Sequence, residues 1–187
     1  MKTSRRQWME TLPAAAVAAA ALARGREARA DFDDRDDALL AFSTMMGNCP
    51  GTNINGNIGA GLPWCVEDAD GLLTVDGELR VRLHRLVFAP GTPDAGNNPV
   101  PFFKAIVSCT TVNSNMEAEF FNFATKAFPA TTQTKTNPGG DAEIHARISL
   151  PEPIFAPIVF IGPAHAGDVA GELPAGTGTT WFAVTGH

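Results

Sequence analysis

The segment Leu72–His84 constrains the fold more than any other: Leu-Leu-Thr-Val, then Asp76-Gly77, then Glu-Leu-Arg-Val-Arg-Leu-His. Leu79, Val81 and Leu83 alternate with Arg80, Arg82 and His84. That period of two puts one set on a buried face and the other in water. Asp-Gly readily adopts the positive backbone angles of a tight two-residue turn, so the segment predicts an antiparallel hairpin. A second stretch alternates as cleanly, with Ile144, Ala146, Ile148 and Leu150 on one side and Glu143, His145, Arg147 and Ser149 on the other. Elements patterned this way must bury the apolar side against another layer or by closing on themselves.

The remaining segments extend the pattern. Phe102–Thr111 and Met116–Phe128 read as buried strands, and Thr179–Thr185 as the last strand. Ile154–Ile161 is almost wholly apolar, and Pro157 confines it to an edge or a bulge. Arg85 breaks the alternation before Leu86 and Phe88, which predicts a bulge. The stretches 89–101 and 129–140 are loops rich in proline, asparagine and glycine. From Asp31 onward, glycine and proline make up 30 of 157 residues, above the ~12% typical of globular chains, as expected for short strands joined by turns. The fold class is therefore all-β, an antiparallel β-sandwich or barrel of about seven strands. Ahead of it, aspartates from Asp31 to Asp37 precede Ala38-Leu39-Leu40-Ala41-Phe42, a pattern that predicts a short N-terminal helix presenting Leu39, Phe42 and Met46 on one face. The chain divides into residues 1–30, a helix and Gly/Asn-rich loop over 31–60, and a β domain over 61–187.

At the N-terminus, Ser4-Arg5-Arg6 is followed by the large apolar residues Trp8 and Met9, an alanine-dominated run from Leu12 to Ala23, and Ala28-Arg29-Ala30. The first residues resemble the bacterial twin-arginine signal, S-R-R-x-F-L-K, with Glu10 where lysine is usual. The apolar run is shorter than the ~20 residues of a spanning helix, and the small-x-small triplet places signal cleavage between Ala30 and Asp31. An uncleaved N-terminal anchor is the alternative. The resemblance implies export in the folded state, to a periplasm or the cell exterior, with no membrane span after cleavage. Further along, Pro-Val-Pro-Phe-Phe-Lys-Ala-Ile-Val-Ser-Cys from Pro99, Phe-Pro-Ala from Phe128, Ala-Pro-Ile-Val-Phe-Ile from Ala156 and Trp-Phe-Ala-Val-Thr-Gly from Trp181 resemble small exported bacterial proteins of no established activity. That likeness spans roughly residues 62–186; it implies the β fold and brings no catalytic motif.

Loss of residues 1–30 lowers the basic count from 14 to 8 and the acidic count from 20 to 18, a net charge of -10. Such a field repels nucleic acid and anionic lipid. An oxidising compartment permits disulfides. Cys49 and Cys65 flank the loop from Pro50 to Pro63, and closing it would contribute about 3 kcal/mol. Cys109 lies in an apolar strand pattern and reads as a buried thiol; the other pairing joins Cys65 to Cys109.

Catalytic signatures are sparse. There is no G-x-S-x-G, and from Asp31 onward the serines are Ser43, Ser108, Ser114 and Ser149. Cys109 is followed by Met116 without an intervening histidine, which does not suit blue copper. His84, His145, His165 and His187 are scattered; His84 and His145 meet over Glu143 only if their strands are neighbours. Asp68-Ala69-Asp70-Gly71 has part of a calcium-loop pattern, but Val66 and Gly77 fall where carboxylates are needed, so it reads as a turn. No cofactor is expected. Arg80, Arg82, His84, His145 and Arg147 gather much of the scarce positive charge on outward strand positions, where forked donors suit carboxylate, sulfate or phosphate. The more ordinary arrangement pairs them with Glu117, Glu119 and Glu143. Two classes remain: a noncatalytic exported module that binds an extracellular or envelope ligand, and an exported enzyme or metal-binding protein with a dispersed His/Glu/Arg site on the sheet face.

Overall fold

The computed structural model describes residues 37–174 and 179–185. The export signal at Arg5 and Arg6 and the cleavage pair Ala30 and Asp31 lie outside the described residues. In chain order the first strands are β1 (Ala38–Phe42), β2 (Met45–Gly47), β3 (Asn53–Ile54), β4 (Asn57–Gly59), β5 (Trp64–Cys65), β6 (Asp68–Thr74), β7 (Glu78–His84) and β8 (Val87–Phe88). The second half adds β9 (Phe102–Val112), β10 (Ala118–Ala124), β11 (Phe128–Pro129), β12 (Ala142–Arg147), β13 (Phe155–Pro163), β14 (Gly171–Leu173), β15 (Thr180–Trp181) and β16 (Ala183–Thr185). Among the described residues, seven of these have five residues or more: β1, β6, β7, β9, β10, β12 and β13.

A four-stranded antiparallel sheet runs β1-β6-β7-β12, and a larger sheet runs β14-β10-β9-β13-β16-β2 with β11 also on β9. Two small sheets, β15-β4-β3 and β5-β8, complete the set, and β15 pairs with β4 in parallel. The fold is all-β and its large sheets are antiparallel. Leu73, Leu79, Val81 and Ile144 from the first sheet and Phe103, Val107, Val159 and Ile161 from the second belong to one buried cluster. Removing such side chains from water contributes about 1.5–3 kcal/mol each. Alternation thus translates directly into burial: Leu79 and Val81 are fully buried while His84 is exposed.

The hairpin forms where expected, but its turn differs. Gly77 donates its N–H to Thr74 O at 3.0 Å, and Gly77 alone within the turn has positive φ, +80°. The loop therefore has three residues, Val75 to Gly77, with glycine in the left-handed position. A side chain at Gly77 would also strike the Ile148 carbonyl. Pro157 sits in the expected bulge, between Phe155 and Ile158, although β13 is a central strand.

The short N-terminal helix is not formed. Ala38–Phe42 is strand β1, which pairs with β6 through Phe42↔Gly71 and Ala41↔Leu72, and Met46 lies in β2 on the edge of the larger sheet. A helix this short is marginal alone, whereas the strand satisfies the open edge of β6 and packs Leu39, Leu40 and Phe42 against the core. The Cys49–Cys65 disulfide is likewise absent: Cys49, Cys65 and Cys109 are all thiols, so the alternative Cys65–Cys109 link is not made either. Asn48 holds the loop instead. Its Nδ2 donates to Ala60 O at 2.8 Å and Leu62 O at 3.3 Å, and its Oδ1 accepts from Trp64 N at 2.8 Å.

Candidate functional site

The outward face of the four-stranded sheet carries a hollow of about 560 Å³. Strands β6, β7 and β12 form its floor, and Pro129, Ala130 and Thr131 form a wall. Register builds the floor from two rows. Asp70 on β6 and Glu143 on β12 lie directly opposite Arg82 on β7. Asp68 lies opposite His84, and Asp141, the residue just before β12, hydrogen-bonds to the other side of that histidine. Each row is a base between two acids.

Asp141 organises the second row. Its Oδ1 is 2.8 Å from His84 Nδ1 and accepts from Arg85 N at 3.1 Å, while its N–H donates to Thr131 Oγ1 at 2.9 Å. The backbone permits this because Arg85 leaves the strand at φ 54° and Gly140 at φ 92° lets the chain pass against Leu86, whose N–H donates to Gly140 O at 3.0 Å. A carboxylate accepting at Nδ1 places the imidazole proton there and leaves Nε2 as an acceptor when the ring is neutral. In the first row, Arg82 Nε stands 3.9 Å from Asp70 Oδ2. Burial pushes the Asp70 carboxyl above its ordinary range, Arg82 draws it down, and Asp68 pushes it up.

The five cations named from the sequence share this sheet face but not one site. Arg82 and His84 line the hollow. Arg80 forms an ion pair with Glu78 at 2.6 Å, and His145 lies opposite Arg80 in the ladder. Arg147 is 3.8 Å from Asp76 at the exposed hairpin end. β7 and β12 are neighbours, yet register separates His84 from His145 by four residues, about 13 Å at the rise of a strand. Of the acids expected beside them, Glu143 lies opposite Arg82 in the ladder, whereas Glu119 belongs to β10 in the other sheet; Glu78, Asp70, Asp141 and Asp76 also contact these cations. Asp68 and Asp70 lie on a strand, not in a turn.

The arrangement limits the chemistry. Thr131, Asp141 and His84 are linked, but the carboxylate stands between hydroxyl and imidazole, so the histidine does not reach the hydroxyl to activate it. Cys109 lies buried in β9, where burial pushes its thiol up to about 11, away from nucleophilic use. Among the described residues, no group of three or more histidines, cysteines and carboxylates is arranged to hold a metal. Among them, too, no helix is long and apolar enough to cross a membrane.

Sequence reasoning missed Asp68, Asp70, Asp141 and Thr131 as lining residues. The signal for two of them was the hairpin itself, since Asp-x-Asp and Arg-x-His stand on its two arms. Compared with known proteins, the chain matches no family model, no curated protein and no solved structure.

Proposed function

We propose that this chain is an exported, noncatalytic β-sandwich module that binds a cationic, hydrogen-bond-donating ligand in the hollow over β6, β7 and β12. The paired acid–base–acid rows carry this reading. Four carboxylates face one guanidinium and one imidazole there, so the hollow has surplus acceptors and negative charge. Arg82 stands 3.9 Å from Asp70 and opposite Glu143 in the ladder, so an anion there competes with two carboxylates for one guanidinium. An amine or guanidinium group, by contrast, meets acceptors on Asp68, Glu143 and His84 Nε2 and brings a compensating charge. Export rests on the resemblance of Ser4-Arg5-Arg6 to the twin-arginine signal, and the acidic balance of the chain keeps it from nucleic acid.

Calorimetric titration of the protein beginning at Asp31 with spermidine and with sulfate tests the reading. Spermidine binds, and the paired change Asp70→Asn with Glu143→Gln weakens it about tenfold or more. Sulfate binding that exceeds spermidine binding would overturn the assignment. Elemental analysis of natively exported protein addresses the metal-binding alternative: stoichiometric metal would favour that class over a ligand-binding module.

A further inference from the structure

The four carboxylates of the hollow are not equivalent. Asp70 stands 3.9 Å from Arg82, and Asp141 is taken up by His84, Arg85 N–H and Thr131. Asp68 and Glu143 are exposed, and their side chains make no hydrogen bond or ion pair among the described residues. Register sets these two apart on a diagonal. Asp68 stands in the His84 row on β6, and Glu143 in the Arg82 row on β12. Two strand spacings and one two-residue step separate them, about 12 Å between Cα atoms. The line joining them crosses β7 between Arg82 and His84, over Leu83, whose side chain is buried under the sheet. Leu83 and Ala142 line the hollow there, and Pro129 and Ala130 border it. An uncommitted carboxylate thus occupies each of two opposite corners, with apolar ground between.

We infer that the ligand of this hollow is a linear dication: two ammonium groups joined by an unbranched apolar chain, one end at Asp68 and the other at Glu143. This rests on the reading of the hollow as a cation site and narrows it. At the Asp68 corner, His84 Nε2 offers the ammonium group a second acceptor when the ring is neutral. At the other corner, the ion pair of Arg82 lies on the β6 side with Asp70, across β7 from Glu143. A single ammonium group compensates one corner and leaves the other charge unmatched. Two groups on a short chain cannot reach both. Methylene groups laid over Leu83 and Ala142 and beside Pro129 and Ala130 leave water without stranding a polar group.

Calorimetric titration of natively exported protein with octamethylenediamine, tetramethylenediamine and octylamine at low ionic strength separates chain length from charge. Tetramethylenediamine carries the same charge on a shorter chain, and octylamine carries one ammonium group on a chain of the same length. Octamethylenediamine binds about fivefold or more tighter than either. Asp68→Asn and Glu143→Gln each lower its affinity to that of octylamine, with circular dichroism reporting the retained sheets. Octylamine can use either corner, so each single change costs it no more than about twofold, and only the double variant weakens it further. If octamethylenediamine binds no tighter than the two controls, or keeps its affinity in both single variants, the dication is overturned while the cation site stands. If none of the three amines binds, both readings fall.

Discussion

At the scale of single residues, two buried polar groups do work that charge and composition did not reveal. Asn48 is 3% exposed and ties Ala60, Leu62 and Trp64 to the edge of β2, the task the sequence assigned to a disulfide. Asn48→Ala would strand several backbone groups and should lower unfolding free energy by about 3 kcal/mol in urea titrations, whereas removing Cys49 should change it little. Cys109 provides a pH signature. Burial holds its folded-state value near 11, above the ordinary 9.0, so the contribution of this site is fully present below pH 9 and is lost as pH rises toward 11. Cys109→Val should flatten the decline in stability over that window relative to the unaltered protein. The chain has no tyrosine to titrate in the same range, and Cys65, whose thiol burial also pushes up, is common to both proteins and drops out of the difference. Equal declines in both proteins would show that Cys109 is not the group responsible.

At the scale of elements, the hairpin illustrates how much the sequence carried and where it stopped. Alternation located the second arm and its two faces, because period-two patterning reflects burial directly, whereas the first half of β6, Asp68 to Gly71, read as a turn. Turn type was another matter. A two-residue turn at Asp76-Gly77 pairs Asp70 with Leu83, while the observed three-residue loop pairs Asp70 with Arg82. That single step decides whether acids and bases meet across the ladder, so the hollow was hidden by a local choice of backbone angles. Gly77→Ala should destabilise the protein by roughly 2 kcal/mol or more, since φ is +80° and the added carbon meets the Ile148 carbonyl. Strand β1 failed for a different reason: its residues favour a helix locally, and the unpaired edge of β6 overrode that preference. The β3–β4 hairpin shows a similar dependence on distant partners. Asn57 Nδ2 donates to Asn122 Oδ1 at 2.9 Å, and Asn122 Nδ2 donates to Asn55 O at 3.2 Å. Asn122→Leu should free this hairpin, seen as faster amide hydrogen exchange at Ile58 and Gly59 with the large sheets unchanged.

At the scale of the whole molecule, the two large sheets share one apolar cluster and leave a polar face whose charges are arranged by strand register. The outward cations were legible from alternation, and Asp68 and Asp70 stood on the other arm of the same hairpin, but Asp141 reaches His84 from the approach to β12, which no local pattern joins to β7. The N-terminal arginines belong to a separate part of the account. Replacing both Arg5 and Arg6 with lysine should block export, measured as retention of the uncleaved chain in the cytoplasm; normal export would remove the twin-arginine reading. The central claim concerns the hollow, and amide-resolved NMR titration tests it most directly. Spermidine should produce saturable shifts centred on Asp68, Asp70, His84, Thr131, Asp141 and Glu143, while sulfate at the same concentration leaves those amides unmoved. Saturable shifts of the same amides by sulfate, or spermidine shifts scattered over the surface without saturation, would contradict it.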